Sequence, residues 1–190
     1  MNSDFFEINN YFVDNRSSLR KNYHIYNDRR ERVGTIKQKL NLKQKIMRMM
    51  PFRGLFPFSI EIRNANGGLE SSIAQNSLSF LSDIIVSDAQ GKKIGTINKR
   101  NFFKPEFSVL NASNEVIAEI RDAWHGPNFV VYDTTEKQIG SIDKKWNRRM
   151  RNFVKSNRSY NVNMSTNYSE NEDKIAILSS AIAINMLFFN

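Results

Sequence analysis

The chain is best read backwards, from Lys174-Ile-Ala-Ile-Leu-Ser-Ser-Ala-Ile-Ala-Ile-Asn-Met-Leu-Phe-Phe189. Between Ile175 and Phe189 there is no charge, no Pro and no Gly. A helix that is apolar all round is enclosed either by protein or by lipid. Fifteen residues rise roughly 22 Å at about 1.5 Å each, short of a hydrocarbon core of about 30 Å. Ser179, Ser180 and Asn185 would also lack partners in lipid. The stretch therefore predicts a core helix rather than a membrane span. Ala176, Ser179, Ser180, Ala181 and Ala183 make it slim, which suits the inside of a β-barrel.

Upstream, a polar start gives way to a first strand expected over Phe6 to Val13. Then one unit recurs: an apolar strand, a turn rich in Asn, Asp and Gly, and a second strand ending small-x-Ile. The copies run Tyr23 to Ile36, Phe58 to Ile73, Asp83 to Ile97, Phe107 to Ile120 and Phe129 to Ile142. Their small residues are Gly34, Ser71, Gly95, Ala118 and Gly140, and the Ile two positions on faces the same side. Two short strands around such a turn form a hairpin. A small residue beside a bulky one suits a curved sheet. Five hairpins, the first strand and a late strand at Tyr160 to Met164 make about twelve strands. Open sheets of that size curl, so closure is expected. The fold predicted is mainly β: a closed antiparallel barrel of about twelve strands around the C-terminal hydrophobic helix, with residues 1–190 as one domain.

Two inserts interrupt the hairpins. The first, Lys37 to Pro57, carries Lys37, Lys39, Lys43, Lys45, Arg48 and Arg53, with no acid from Ile36 to Ile60. Apolar residues interleave, among them Phe52, Leu55 and Phe56. A short helix is expected before Pro51. The second, Lys144 to Arg158, carries Lys144, Lys145, Arg148, Arg149, Arg151, Lys155 and Arg158, with no acid until Glu170. Trp146, Met150, Phe153 and Val154 fall at helical spacing there.

The 190 residues hold 28 Lys and Arg against 19 Asp and Glu, a net charge of +9. Such a charge favours anionic partners, lipid headgroups or nucleic acid. The chain has no Cys, which excludes disulfides, thiolate chemistry and Cys-ligated metal. Met1 to Asn10 contains Asp4 and Glu7 and has no basic start with an apolar run, so no secretory signal is expected.

Several stretches resemble the phospholipid scramblases. Lys174 to Asn190 looks like their C-terminal helix, and Ile139-Gly-Ser-Ile-Asp-Lys-Lys-Trp146 like the segment before it. Asp122-Ala-Trp-His-Gly-Pro-Asn-Phe129 and Pro57-Phe-Ser-Ile-Glu-Ile62 are similar to the bacterial scramblase-like and plant LURP-one-related members. Tyr11-Phe-Val13 and Tyr23-His-Ile-Tyr26 also fit the bacterial members. The resemblance covers nearly the whole chain and implies a tubby-like fold, a twelve-stranded barrel around a hydrophobic helix. It departs at Ser156 to Asn167, where animal scramblases have an Asp-rich segment proposed to bind calcium. This stretch has no carboxylate, and calcium sites usually include Asp or Glu. A calcium trigger is therefore not expected. Palmitoylation, which needs Cys, is excluded.

The two histidines, His24 and His125, have no metal-site spacing. No nucleophile elbow or phosphate loop occurs. Gly34, Gly95 and Gly140 belong to the hairpin repeat. Asp83, Asp88, Asp122 and Asp133 sit near turns, where Asp bonds its own backbone. No catalytic constellation, metal site or cofactor is expected. Trp124 and Trp146 read as core or rim aromatics.

Three readings of the inserts stand side by side. They are a solvated basic face whose apolar members pack on the barrel, an anionic-lipid surface, or a nucleic-acid surface with Trp146 and Phe153 stacking on bases. A protein-interaction module is a further alternative. The reading favoured among functions is a non-enzymatic, monomeric scramblase-like protein, cytoplasmic and peripheral at the inner membrane face. It associates with anionic phospholipid through Lys43, Lys45, Arg48, Arg53, Lys144, Lys145, Trp146, Arg148, Arg149 and Arg151. Phe52, Leu55 and Phe56 enter shallowly, and phospholipid translocation is the activity the resemblance suggests.

Overall fold

A computed structural model describes residues 4–14, 22–39, 57–75, 83–100, 106–123, 129–143, 159–165 and 171–188, with side chains omitted at 22 and 185–188. Among the described residues a 3-10 turn, Asp4–Glu7, precedes twelve strands and one helix. The strands are β1 (Asn10–Asp14), β2 (Asn22–Tyr26), β3 (Arg32–Lys39), β4 (Phe58–Asn64), β5 (Leu69–Gln75) and β6 (Ile84–Asp88). There follow β7 (Lys93–Lys99), β8 (Phe107–Asn111), β9 (Val116–Asp122), β10 (Phe129–Tyr132), β11 (Gln138–Asp143) and β12 (Tyr160–Met164). Each strand pairs antiparallel with the next, and β1 pairs with β12, so the sheet closes into a barrel. The helix α1, Asn171–Phe188, fills it.

The small residues and their isoleucines all face inward and are buried. They give α1 room. A Cβ on Gly95 would lie 2.7 Å from the Leu110 carbonyl oxygen and 3.0 Å from Cβ of Ala176. The serines of α1 are satisfied inside the barrel. Ser179 Oγ shares a 2.7 Å hydrogen bond with Ser71 Oγ of β5, and Ser180 Oγ donates to the Ala176 carbonyl. Tyr160 donates its hydroxyl to the Ile182 carbonyl. Burial, with Tyr23 nearby, pushes its phenol well above the ordinary range.

Every hairpin is built alike. Its register slips by one residue just before the small residue, leaving Val33, Glu70, Ile94, Ile117 or Ile139 as a bulge. A bulge bends the strand and increases its twist, which helps a sheet close. Each turn opens on Asn or Asp. Asn27, Asn64, Asp88, Asn111 and Asp133 each accept two backbone N–H bonds from the turn on one side-chain oxygen. The third residue after it takes positive φ: Arg30, Gly67, Gly91, Asn114 or Glu136.

Two expectations at the N-terminal half are corrected. The first strand begins at Asn10, not Phe6. Phe5 and Phe6 lie in the 3-10 turn, stacked edge-on with ring centroids 5.1 Å apart, and the Tyr11 hydroxyl holds the Phe5 carbonyl at 2.7 Å. The first insert begins after Lys39, not at Lys37, because β3 runs on through both lysines opposite Ser59 and Glu61.

Candidate membrane-docking rim

Strand alternation sorts the connections. Odd-numbered strands all run one way, so the links after β2, β4, β6, β8 and β10 lie at one end, where the five tight turns are. The links after β1, β3, β5, β7, β9 and β11 join strand ends at the other rim. Both predicted inserts connect strand ends at that second rim. One joins Lys39 to Phe58, the other Asp143 to Tyr160.

The candidates themselves, Lys43, Lys45, Arg48, Phe52, Arg53, Leu55, Phe56, Lys144, Lys145, Trp146, Arg148, Arg149 and Arg151, lie outside the described residues. So do the helices expected within the inserts, and Trp124 and His125. The described flanks set where their strands end. In barrel order β11, β12, β1, β2, β3 and β4 are consecutive, so the two inserts flank the β1–β2 link. That link, residues 15–21, was missed in reading the sequence. It contains Arg16, Arg20 and Lys21 and no acid. The signal was present, but it is too short to register as an insert.

At the tight-turn end the balance is reversed. α1 enters there with Glu172 and Asp173 in its first turn, where carboxylates complement the helix dipole. Lys92 in the β6–β7 turn bonds Glu172 at 2.7 Å, and buried Lys174 bonds Glu7 at 3.1 Å. A cavity of about 370 Å³ opens beside them, lined by Glu7, Glu70, Asp88 and Glu172 among others. The barrel therefore has an acidic end where the helix enters.

Below the basic rim, the wall ties up its own carboxylates. Glu61 on β4 is held by Lys39 and Arg63. Burial pushes its carboxyl up, yet those two hydrogen bonds outweigh burial and hold it below its ordinary 4.5. On the far wall Arg121 bridges Glu119 and Glu136 and lies 5.1 Å over the Tyr132 ring, and Arg100 also pairs with Glu119.

Within the stretch Ser156 to Asn167, residues Tyr160–Met164 form β12. Tyr160, Val162 and Met164 point into the core, and the Asn163 amide bonds Asn10 of β1. No group of three or more His, Cys, Asp or Glu that could hold a metal occurs among the described residues. No helix among them is long and apolar enough to cross a membrane.

These features define a tubby-like barrel: twelve antiparallel strands closed around a hydrophobic helix. The X-ray structure of a protein from Arabidopsis thaliana has the same fold, with a TM-score of 0.53 at 12% identity, covering 94% of this chain and 88% of that one. No match was found among curated proteins. Residues 22–190 match the Scramblase family, and the chain belongs to it.

Proposed function

We propose that this protein docks on anionic phospholipid membranes through the rim from which its basic connections emerge. Its role is non-enzymatic and its position peripheral, at the cytoplasmic face. The observation that supports this is topological: three acid-free basic links, 15–21, 40–56 and 144–158, join strand ends of one rim on one arc of the barrel. Each Lys or Arg near an anionic surface contributes about 1 kcal/mol, so five or six acting together give stable association. Phe52, Leu55 and Phe56, with Trp146, would add shallow apolar insertion. The acidic opposite end favours a single orientation.

Translocation of phospholipid, where it occurs, proceeds beside the barrel by disturbing the bilayer, because the barrel interior is filled by α1. It does not depend on calcium. The test is co-sedimentation with neutral and anionic vesicles at low and high salt, beside DNA and RNA shift assays. Salt-sensitive binding to anionic vesicles is expected, lost when Lys43, Lys45, Arg48, Arg148, Arg149 and Arg151 are changed to Glu. Unchanged vesicle binding in that variant, or tight nucleic-acid binding without vesicle binding, rejects the docking rim. A lipid-flip assay with and without calcium then decides translocation.

A further inference from the structure

A second cationic site lies on the wall of the barrel, away from the rim. It is a cleft of about 330 Å³ on the outer face of β2, β3 and β4, bounded by the β4–β5 turn. Its lining includes His24, Arg32, Thr35, Lys37 and Asn64. The bulge at Val33 creates it. In an unbroken strand Arg32 and Thr35, three apart, would face opposite sides. The extra residue turns Arg32 outward beside Thr35 and Lys37. Burial agrees: Arg32 and Lys37 are exposed, Thr35 is half-buried, and Gly34 and Ile36 are buried.

Neither Arg32 nor Lys37 has an ion-pair partner among the described residues. Lys37 sits directly opposite Glu61 in register, but Lys39 and Arg63 already hold that carboxylate. Arg63, opposite Thr35 on β4, is fastened to Glu61 and to the Gly67 carbonyl and does not line the cleft. Two cations flanking a hydroxyl over a cleft match a tetrahedral oxyanion, which takes charge-assisted bonds from Arg and Lys and a neutral one from Thr. The repeat makes the pattern specific. The same three outward positions are Leu69, Ser72 and Ala74 on β5, Lys93, Thr96 and Asn98 on β7, Val116, Glu119 and Arg121 on β9, and Gln138, Ser141 and Asp143 on β11, so each of these strands has at most one cation where β3 has two.

We propose that this cleft binds a phosphate group through Arg32, Thr35 and Lys37. The site stands independently of the docking rim. Its phosphate comes from a lipid headgroup or from a soluble phosphate ester, and the chemistry is shared.

The test is titration of the full-length protein with inorganic phosphate and with glycerol phosphate, followed by amide chemical shifts. Saturable shifts confined to residues 24, 32–37 and 64–67 are expected. Lys37→Gln and Arg32→Gln should each weaken binding about tenfold, the loss of one charge-assisted bond. Both changes are on exposed side chains, and an unchanged spectrum elsewhere verifies the fold. Shifts scattered over the surface, or an unchanged affinity in both variants, overturn the proposal. Vesicles of phosphatidic acid and of phosphatidylglycerol, at equal charge, then distinguish the sources. A preference for phosphatidic acid that Lys37→Gln abolishes points to the headgroup. Ester binding without that preference points to a soluble phosphate.

Discussion

At Gly95 the nearest strand leaves no space for a side chain, since a Cβ would stand 2.7 Å from a backbone oxygen that cannot rotate away. Gly95→Val is therefore expected to cost at least about 1–3 kcal/mol, the usual penalty of overpacking, read from the urea midpoint at unchanged slope. The small-x-Ile rhythm around this position was legible in the sequence because period-two spacing puts both residues on one face. The bulge before it was not. Its only trace is an extra aliphatic residue, Val33, Ile94, Ile117 or Ile139, adjoining the small one. Such a residue reads equally as part of a regular strand. The left-handed turn positions were hidden too, since Arg30, Asn114 and Glu136 occupy them instead of Gly. The Asn or Asp opening each turn was the better signal.

Between elements, the helix is keyed to its wall by Ser71 and Ser179. Removing one hydroxyl leaves the other buried and unsatisfied, so Ser71→Ala or Ser179→Ala is expected to cost about 1–3 kcal/mol. The double variant should cost less than the two added together, and a double-mutant cycle by chemical unfolding measures that coupling. On the outer face, hydrogen bonds from Arg121 hold the Glu136 carboxyl below its ordinary 4.5. A lowered folded-state value means that its stabilisation is complete above 4.5 and is lost as pH falls through the folded value. Glu136→Gln is thus expected to lower stability at neutral pH and flatten the acid limb of thermal unfolding followed from pH 7 to 3. The helix was legible because fifteen uncharged residues leave few places to go. The first strand was misplaced because Phe5 and Phe6, apolar like a strand, belong to a turn that caps the barrel mouth.

For the molecule as a whole, a chain lacking residues 171–190 has no core filling. It is expected to bind a hydrophobic dye and lose near-ultraviolet dichroism while keeping far-ultraviolet signal, the marks of a loosely packed state. Charge clustering was legible in the sequence for the two long inserts. Their convergence on one rim was not, because it depends on strand parity around a closed sheet. The wall cleft was less legible still, since it rests on a single-residue slip that moves Arg32 to the outer face. Closure joins Asn10 to Asn163, and α1 follows every strand in the chain. During synthesis the eleven earlier strands must therefore leave the ribosome with neither their closing neighbour nor their filling. Hairpins can form as they emerge, yet each exposes the apolar face meant for a helix that has not been translated. Domains usually fold as units when they are complete, and open edges with bare apolar faces invite aggregation meanwhile. The nascent chain should need shielding until the helix has emerged, and folding should complete only after translation of the helix.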